Sequence, residues 1–208
     1  MAGGSPTAPK VKIERFFAPN SLIGDVELEV LTLDRLKSTP VSVAEYVAGV
    51  EPDDKRRLHE KNFDEYAPDP DALTEIRRLL DARGESLTLL VIGASWCPDC
   101  QRNVPALGKV EAVLDDPRFV VRVLGGVKTR PLKKKRDGKG DKQVVWAVPP
   151  SPPEAADPAF DLRKIPTIYL FDREGRLLGR IVENPEHEDT VEGEVLHLLR
   201  EVWSKRND

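Results

Sequence analysis

Leu87-Thr-Leu-Leu-Val-Ile-Gly-Ala-Ser-Trp-Cys-Pro-Asp-Cys100 is the stretch on which the reading of this chain turns. Its first half is a continuous apolar run of strand length, the pattern of a central strand covered on both faces. Its second half holds the only two cysteines of the chain, Cys97 and Cys100, two residues apart. The segment that follows has Val104, Leu107, Val110 and Leu114 at helical spacing. A strand, a Cys-x-x-Cys turn and a helix place one sulfur at a helix N-terminus. There the unpaired N–H groups and the helix dipole favour thiolate, and the second sulfur stays within bonding reach. This arrangement suits thiol–disulfide exchange.

The surroundings extend the pattern. Asp69 followed by Pro70 reads as an N-cap with proline at the first helical position. Leu73, Ile76, Leu79 and Leu80 supply that helix with an apolar face, and Gly84 is placed to end it. Phe119–Leu124 is a second strand, so the dithiol helix sits in a right-handed βαβ unit with parallel strands. Pro105 lies inside that helix and is expected to kink it. Residues 167–171 and 176–182, joined by Asp172-Arg-Glu-Gly175, read as an antiparallel hairpin. A last helix is expected to open at Asp189, with Glu192 completing a capping box, and to bury Val191, Val195, Leu198, Leu199 and Val202.

Residues 1–19 read as a flexible tail and residues 20–68 as a helical extension, with Ser42 capping a helix that carries Val43, Val47 and Val50. Residues 125–158 interrupt the regular pattern and form an insertion. It holds basic residues (Lys128, Arg130, Lys133, Lys134, Lys135, Arg136), a proline run at 149–153, Trp146, and a short strand expected near Val144–Val148.

Composition narrows the function. The 208 residues are 39% hydrophobic and 33% charged, with a net charge of −4, as befits a soluble globular chain. The acidic balance, and the lack of aromatic residues among the insertion's lysines, argue against nucleic acid. No run approaches the ~18 apolar residues of a membrane span. The first ten residues carry no apolar signal segment, and two cysteines leave none to spare for structural staples. Both point to the reducing cytoplasm. Structural zinc needs four ligands. His59, His187 and His197 are the candidates to join the cysteines, and none has ligand spacing, so no metal and no cofactor are expected.

Trp96-Cys-Pro-Asp-Cys100 after the first strand, and Lys164-Ile-Pro-Thr167 before the third, resemble the thioredoxin superfamily. The likeness is to bacterial thioredoxin-like proteins with a WCPDC or WCGDC site, over roughly residues 70–125 and 159–204. It implies an α/β thioredoxin-like fold for residues 69–208: a central mixed sheet, βαβ then ββα, with the insertion set into it. It implies a cis Pro166 facing the dithiol, Ile165 backbone groups pairing with an extended substrate, and Thr167 supporting them. Cys97 is then the nucleophile and Cys100 the resolving thiol. Trp96 shields the sulfurs, Pro98 fits the first helical turn, and Asp99 opposes the thiolate by its charge. The resemblance also implies a buried Asp six residues before the first cysteine; Val91 stands there instead. The expected activity is reduction of disulfides in proteins or small molecules, with an electron-donating reductase as partner. The alternative is a non-catalytic thioredoxin-fold adaptor.

Overall fold

The computed structural model describes residues 31–130, 145, 146 and 148–205. The 1–19 tail, the extension up to residue 30, and the lysine cluster at 133–136 lie outside the described residues.

Chain order runs α1 (Val43–Ala48), α2 (Asp53–Glu65), α3 (Pro70–Arg83), β1 (Leu87–Ile92), α4 (Pro98–Leu114), β2 (Phe119–Leu124), β3 (Thr129–Arg130), β4 (Val145–Trp146), β5 (Thr167–Phe171), β6 (Leu177–Val182) and α5 (Val191–Lys205). The main sheet has the order β2-β1-β5-β6. β1 and β2 are parallel, with Leu87 opposite Phe119 and Ile92 opposite Leu124. β5 runs antiparallel to β1 and to β6. This is the mixed sheet of a thioredoxin-like fold. Every residue of β5 is buried, and in β1 only Thr88 is partly open, as expected of central strands covered on both faces.

The local signals act as chemistry requires. Ser42 closes a capping box with Glu45 at the start of α1. Asp69 accepts from Asp71 N–H at α3, and Gly84 ends that helix at φ 59, a left-handed conformation that glycine adopts without penalty. α4 runs unbroken from Pro98 to Leu114 through a buried Pro105. α5 departs from expectation. It begins at Val191, and the Thr190 hydroxyl, not Asp189, accepts from the Gly193 N–H at 3.1 Å. Glu192 closes no capping box. Its fully buried carboxylate accepts from the Tyr66 hydroxyl at 2.6 Å and the Asp69 N–H at 2.8 Å, tying α5 to the α2–α3 junction.

The segment before α1 straps both edges of the sheet. Leu33 N–H donates to Gly175 O, and Leu177 N–H to Leu31 O, beside β6. Val41 then exchanges hydrogen bonds with Val123 of β2, at 3.0 and 2.8 Å. Between these points the buried Glu154 carboxylate accepts from the N–H groups of Lys37 and Ser38 and from the Ser38 hydroxyl, at 2.6, 2.7 and 2.7 Å. Covering both edges satisfies backbone groups that would otherwise template aggregation. Within the insertion, β3 pairs with β4 over Thr129–Trp146 and Arg130–Val145; of the strand expected over 144–148, residues 144 and 147 lie outside the described residues.

Candidate active site

β1 ends at Ile92 and the chain turns through Gly93-Ala-Ser-Trp96 into α4, whose N-cap is Cys97 (φ −82°, ψ 125°). Pro98 occupies the first helical position, where its missing N–H costs nothing. Both cysteines are free thiols. Cys97 keeps 5% of its surface and Cys100 none, so a reagent from solvent meets Cys97 first.

The environments push the two thiols apart. Cys97 is lowered from 9.0 to about 7, mainly because the Cys100 thiol hydrogen-bonds its sulfur. The N–H groups of Cys100 and Asp99 in the first turn of α4 add to this, while burial and the Asp99 charge oppose it. Cys100 is raised, first by that same hydrogen bond with Cys97, then by burial. The Ala94 N–H donates to Cys100 Sγ at 3.4 Å. The opposing charge of Asp99 is itself engaged: Asn184 donates to its carboxylate at 3.2 Å and Arg102 pairs with it. A low thiol in front and a high thiol behind is the asymmetry that sequential exchange needs.

The other residues singled out from sequence surround this pair. The Ile165–Pro166 peptide is cis. The Cys97 thiol donates to Ile165 O at 3.3 Å. A Cβ built on Gly93 would lie 2.9 Å from Cys100 Sγ and 3.9 Å from Pro166 Cβ, so the proline borders the sulfurs. The Thr167 hydroxyl donates to Lys164 O at 2.8 Å, closing the turn that carries Ile165 and Pro166. Trp96 is 46% exposed and anchored by its indole N–H, which donates to Val127 O at 2.9 Å. It therefore presents an apolar face to solvent beside Cys97. Val91 is fully buried in the core, with no carboxylate at its position.

Sequence reading missed Tyr46 on α1, which is buried and whose ring packs edge-on against His59 of α2 at 5.7 Å between centroids. The available signal was its place between Val43 and Val50 on one helical face. Asn62 of α2 donates to Gln101 O at 2.7 Å, and the Gln101 amide donates to Ser95 O at 2.7 Å, so α2 grips both the first turn of α4 and the loop before it. His187 stacks on His197 and meets Glu194, remote from the cysteines in sequence and engaged in its own loop. Among the described residues no group of three or more His, Cys, Asp and Glu side chains could hold a metal. None of the described helices is long and apolar enough to cross a membrane.

Residues 42–123 match a family model described as thioredoxin. The match opens on Ser42, the cap of α1, and takes in both cysteines. No curated protein matches the chain. Among solved structures, the chain is similar to a protein of unknown function from Pseudomonas aeruginosa, at 21% identity and a TM-score of 0.53, over 85% of this chain and 98% of that one. It is also similar to an HIV epitope-scaffold, at 22% identity and a TM-score of 0.47, again over 85% and 98% of the two chains. A thioredoxin-fold protein from Helicobacter pylori matches at 15% identity and a TM-score of 0.31, over 58% of this chain and 86% of that one. At 21% identity the first likeness speaks to fold alone.

Proposed function

We propose that this chain, whose residues 42–123 match a family model described as thioredoxin, is a thiol–disulfide oxidoreductase working through Cys97 and Cys100. The observation that carries the reading is the Cys97 thiol, lowered to about 7 at the mouth of α4 with the raised, buried Cys100 thiol directly behind it.

The Cys97 thiolate attacks one sulfur of a substrate disulfide. The Cys97–substrate bond forms, the substrate S–S bond breaks, and the released substrate sulfur takes a proton. Cys100 then attacks Cys97 Sγ, which forms the Cys97–Cys100 disulfide and releases the second substrate sulfur. The substrate is reduced by two electrons and the protein oxidised by two. An external dithiol, or an electron-donating reductase in the cell, returns the pair to its reduced state. Ile165 beside the cis proline offers backbone groups to an extended substrate, and exposed Trp96 gives it an apolar face to rest on. Reducing chemistry agrees with a cytoplasmic setting, and disulfide-containing proteins or small disulfides are the substrate class.

The test is reduction of insulin disulfides with dithiothreitol as electron source, together with alkylation of Cys97 as a function of pH. A thiol at about 7 is mostly protonated at pH 6 and mostly thiolate at pH 8, so alkylation should climb between them with its midpoint near 7. Cys97→Ser should abolish catalysis, and Cys100→Ser should accumulate mixed disulfides. A wild-type protein that alkylates as an ordinary thiol and reduces nothing would be an adaptor on this fold.

A further inference from the structure

The chain turns sharply where it leaves β6. Glu183 has φ 63°, in the left-handed region, and is not glycine. A side chain there costs free energy and persists only where the surroundings fix the backbone. Here they do. The β5–β6 ladder ends with Thr167 opposite Val182. The Glu183 N–H then donates to Pro166 O at 2.7 Å, and the Asn184 N–H folds back to Val182 O at 2.9 Å. Lys164 pairs with the Glu183 carboxylate at 2.5 Å. Lys164 and Pro166 both belong to the cis-proline turn, so the end of β6 is fastened to that turn by main chain and side chain.

The other side of this corner faces α4. The Asn103 amide donates to Glu183 O at 2.6 Å and to Asn184 Oδ1 at 3.2 Å, and the Asn184 amide donates onward to Asp99 at 3.2 Å. Carbonyl and carboxylate oxygens only accept, so the orientation of both amides is fixed. Asn103 lies six residues after Cys97 on the same unbroken helix. The contacts close a ring: Cys97 to Ile165 O, Pro166 O to the Glu183 N–H, Glu183 O to Asn103, and α4 back to Cys97. The two walls of the slot beside the dithiol, the cis-proline turn and the start of α4, are thus each tied to the Glu183–Asn184 corner.

We propose that the Glu183–Asn184 corner is a clasp between the cis-proline turn and the dithiol helix, that Asn103 is the positioning residue that closes it, and that the slot it holds favours disulfides in extended polypeptide over small disulfides. The inference rests on the exchange reading above and names its substrate class. An extended chain must meet Ile165 and the Cys97 sulfur together, so it feels any change in the spacing of the elements that carry them. A small disulfide needs Cys97 first and the opposite wall little. Asn103 acts through the Glu183 carbonyl and takes no part in bond exchange. Walls ordered in advance spare a bound chain the cost of ordering them, and a misplacement of about 1 Å is worth up to about 100-fold.

The experiment compares two substrates on the reduced full-length chain. One is insulin at increasing concentration, with dithiothreitol in excess. The other is nitrothiobenzoate release from its symmetrical disulfide, in which attack by Cys97 frees the first equivalent and attack by Cys100 on the resulting mixed disulfide frees the second. In Asn103→Ala the preference for insulin, its kcat/KM divided by the first-phase rate constant, should fall about tenfold, with the change in KM and not in kcat. Asn103→Asp keeps the side-chain shape, loses both donors, and should show the same fall. Asn184→Ala should show a smaller one, because Glu183 O keeps its bond from Asn103. Wild-type preference in Asn103→Asp, or equal losses with both substrates, overturns the clasp and leaves the exchange reading in place. A wild type that reduces neither substrate removes the exchange reading, and the clasp with it.

Discussion

Substituting Gly93 by alanine isolates how much room Cys100 needs. The new methyl would sit 2.9 Å from Cys100 Sγ, against about 3.5–4.0 Å for a comfortable non-bonded contact, so roughly 0.6–1 Å must be found. Little around it can yield. Cys100 is fully buried and receives the Ala94 N–H, while Gly93 is pinned through its own N–H to Leu124 O and through its carbonyl to the Val127 N–H at 3.2 Å. The backbone itself tolerates alanine, because φ is not left-handed. Overpacking of this kind costs about 1–3 kcal/mol. The sulfur is the group most able to move, and a displacement approaching 1 Å from its line of attack should slow the resolving step by about 10–100-fold. Urea unfolding reads the first effect and two-phase nitrothiobenzoate release reads the second. The first phase should slow less than the second, since Cys97 loses part of its hydrogen bond from the displaced Cys100 thiol but keeps the N–H groups of the first turn of α4. A Gly93→Ala protein with a wild-type second phase and a wild-type unfolding midpoint would refute the packing argument.

Two further substitutions test what holds the extension and α5 in place. Burial alone would push the Glu154 carboxyl up, but hydrogen bonds from Ser38 and Lys37 outweigh it and hold the group below its ordinary value. A depressed carboxyl contributes stability that is present above its unfolded pKa of about 4.3 and is lost as pH falls through the lower folded value. Glu154→Gln should therefore flatten the acid limb of the urea midpoint plotted against pH, and an unchanged limb would contradict this role. Glu192→Ala strands the Asp69 N–H and the Tyr66 hydroxyl, and should lower unfolding free energy by about 3 kcal/mol in urea titrations. Tyr66→Phe, which loses only one of the two bonds, should cost less.

The parts of the fold legible in the sequence are those fixed within a few residues. The apolar run of β1, the proline after Cys97, the Asp69-Pro70 start and the Gly84 stop each act locally, and the structure uses each of them as its chemistry suggests. What was hidden depends on contacts distant in sequence. Asp189 and Thr190 are adjacent and both are good caps, and the choice falls to Thr190 while Glu192 turns toward Tyr66 and Asp69 more than 120 residues away. The edge straps at Leu31–Leu33 and Val41 are single hydrogen-bonded positions, too short to carry a periodicity. Along residues 43–50 the apolar spacing suggested Val43, Val47 and Val50, whereas Val43, Tyr46 and Val50 are the residues buried, a shift of one position.

In the proposed exchange the βαβ unit with Cys97 at the helix mouth already contains the nucleophile, the dipole and the resolving thiol. The α2 hydrogen bond falls on the first turn of α4, and through Gln101 on the loop before it. Asn62 grips the Gln101 carbonyl one residue beyond Cys100. The Gln101 amide in turn fixes Ser95, next to Trp96. A buried thiol raised by its surroundings exchanges slowly unless its anion finds a donor and its line of attack is held. In the proposed exchange α2 serves the second need, holding the start of α4 through Asn62 and Gln101.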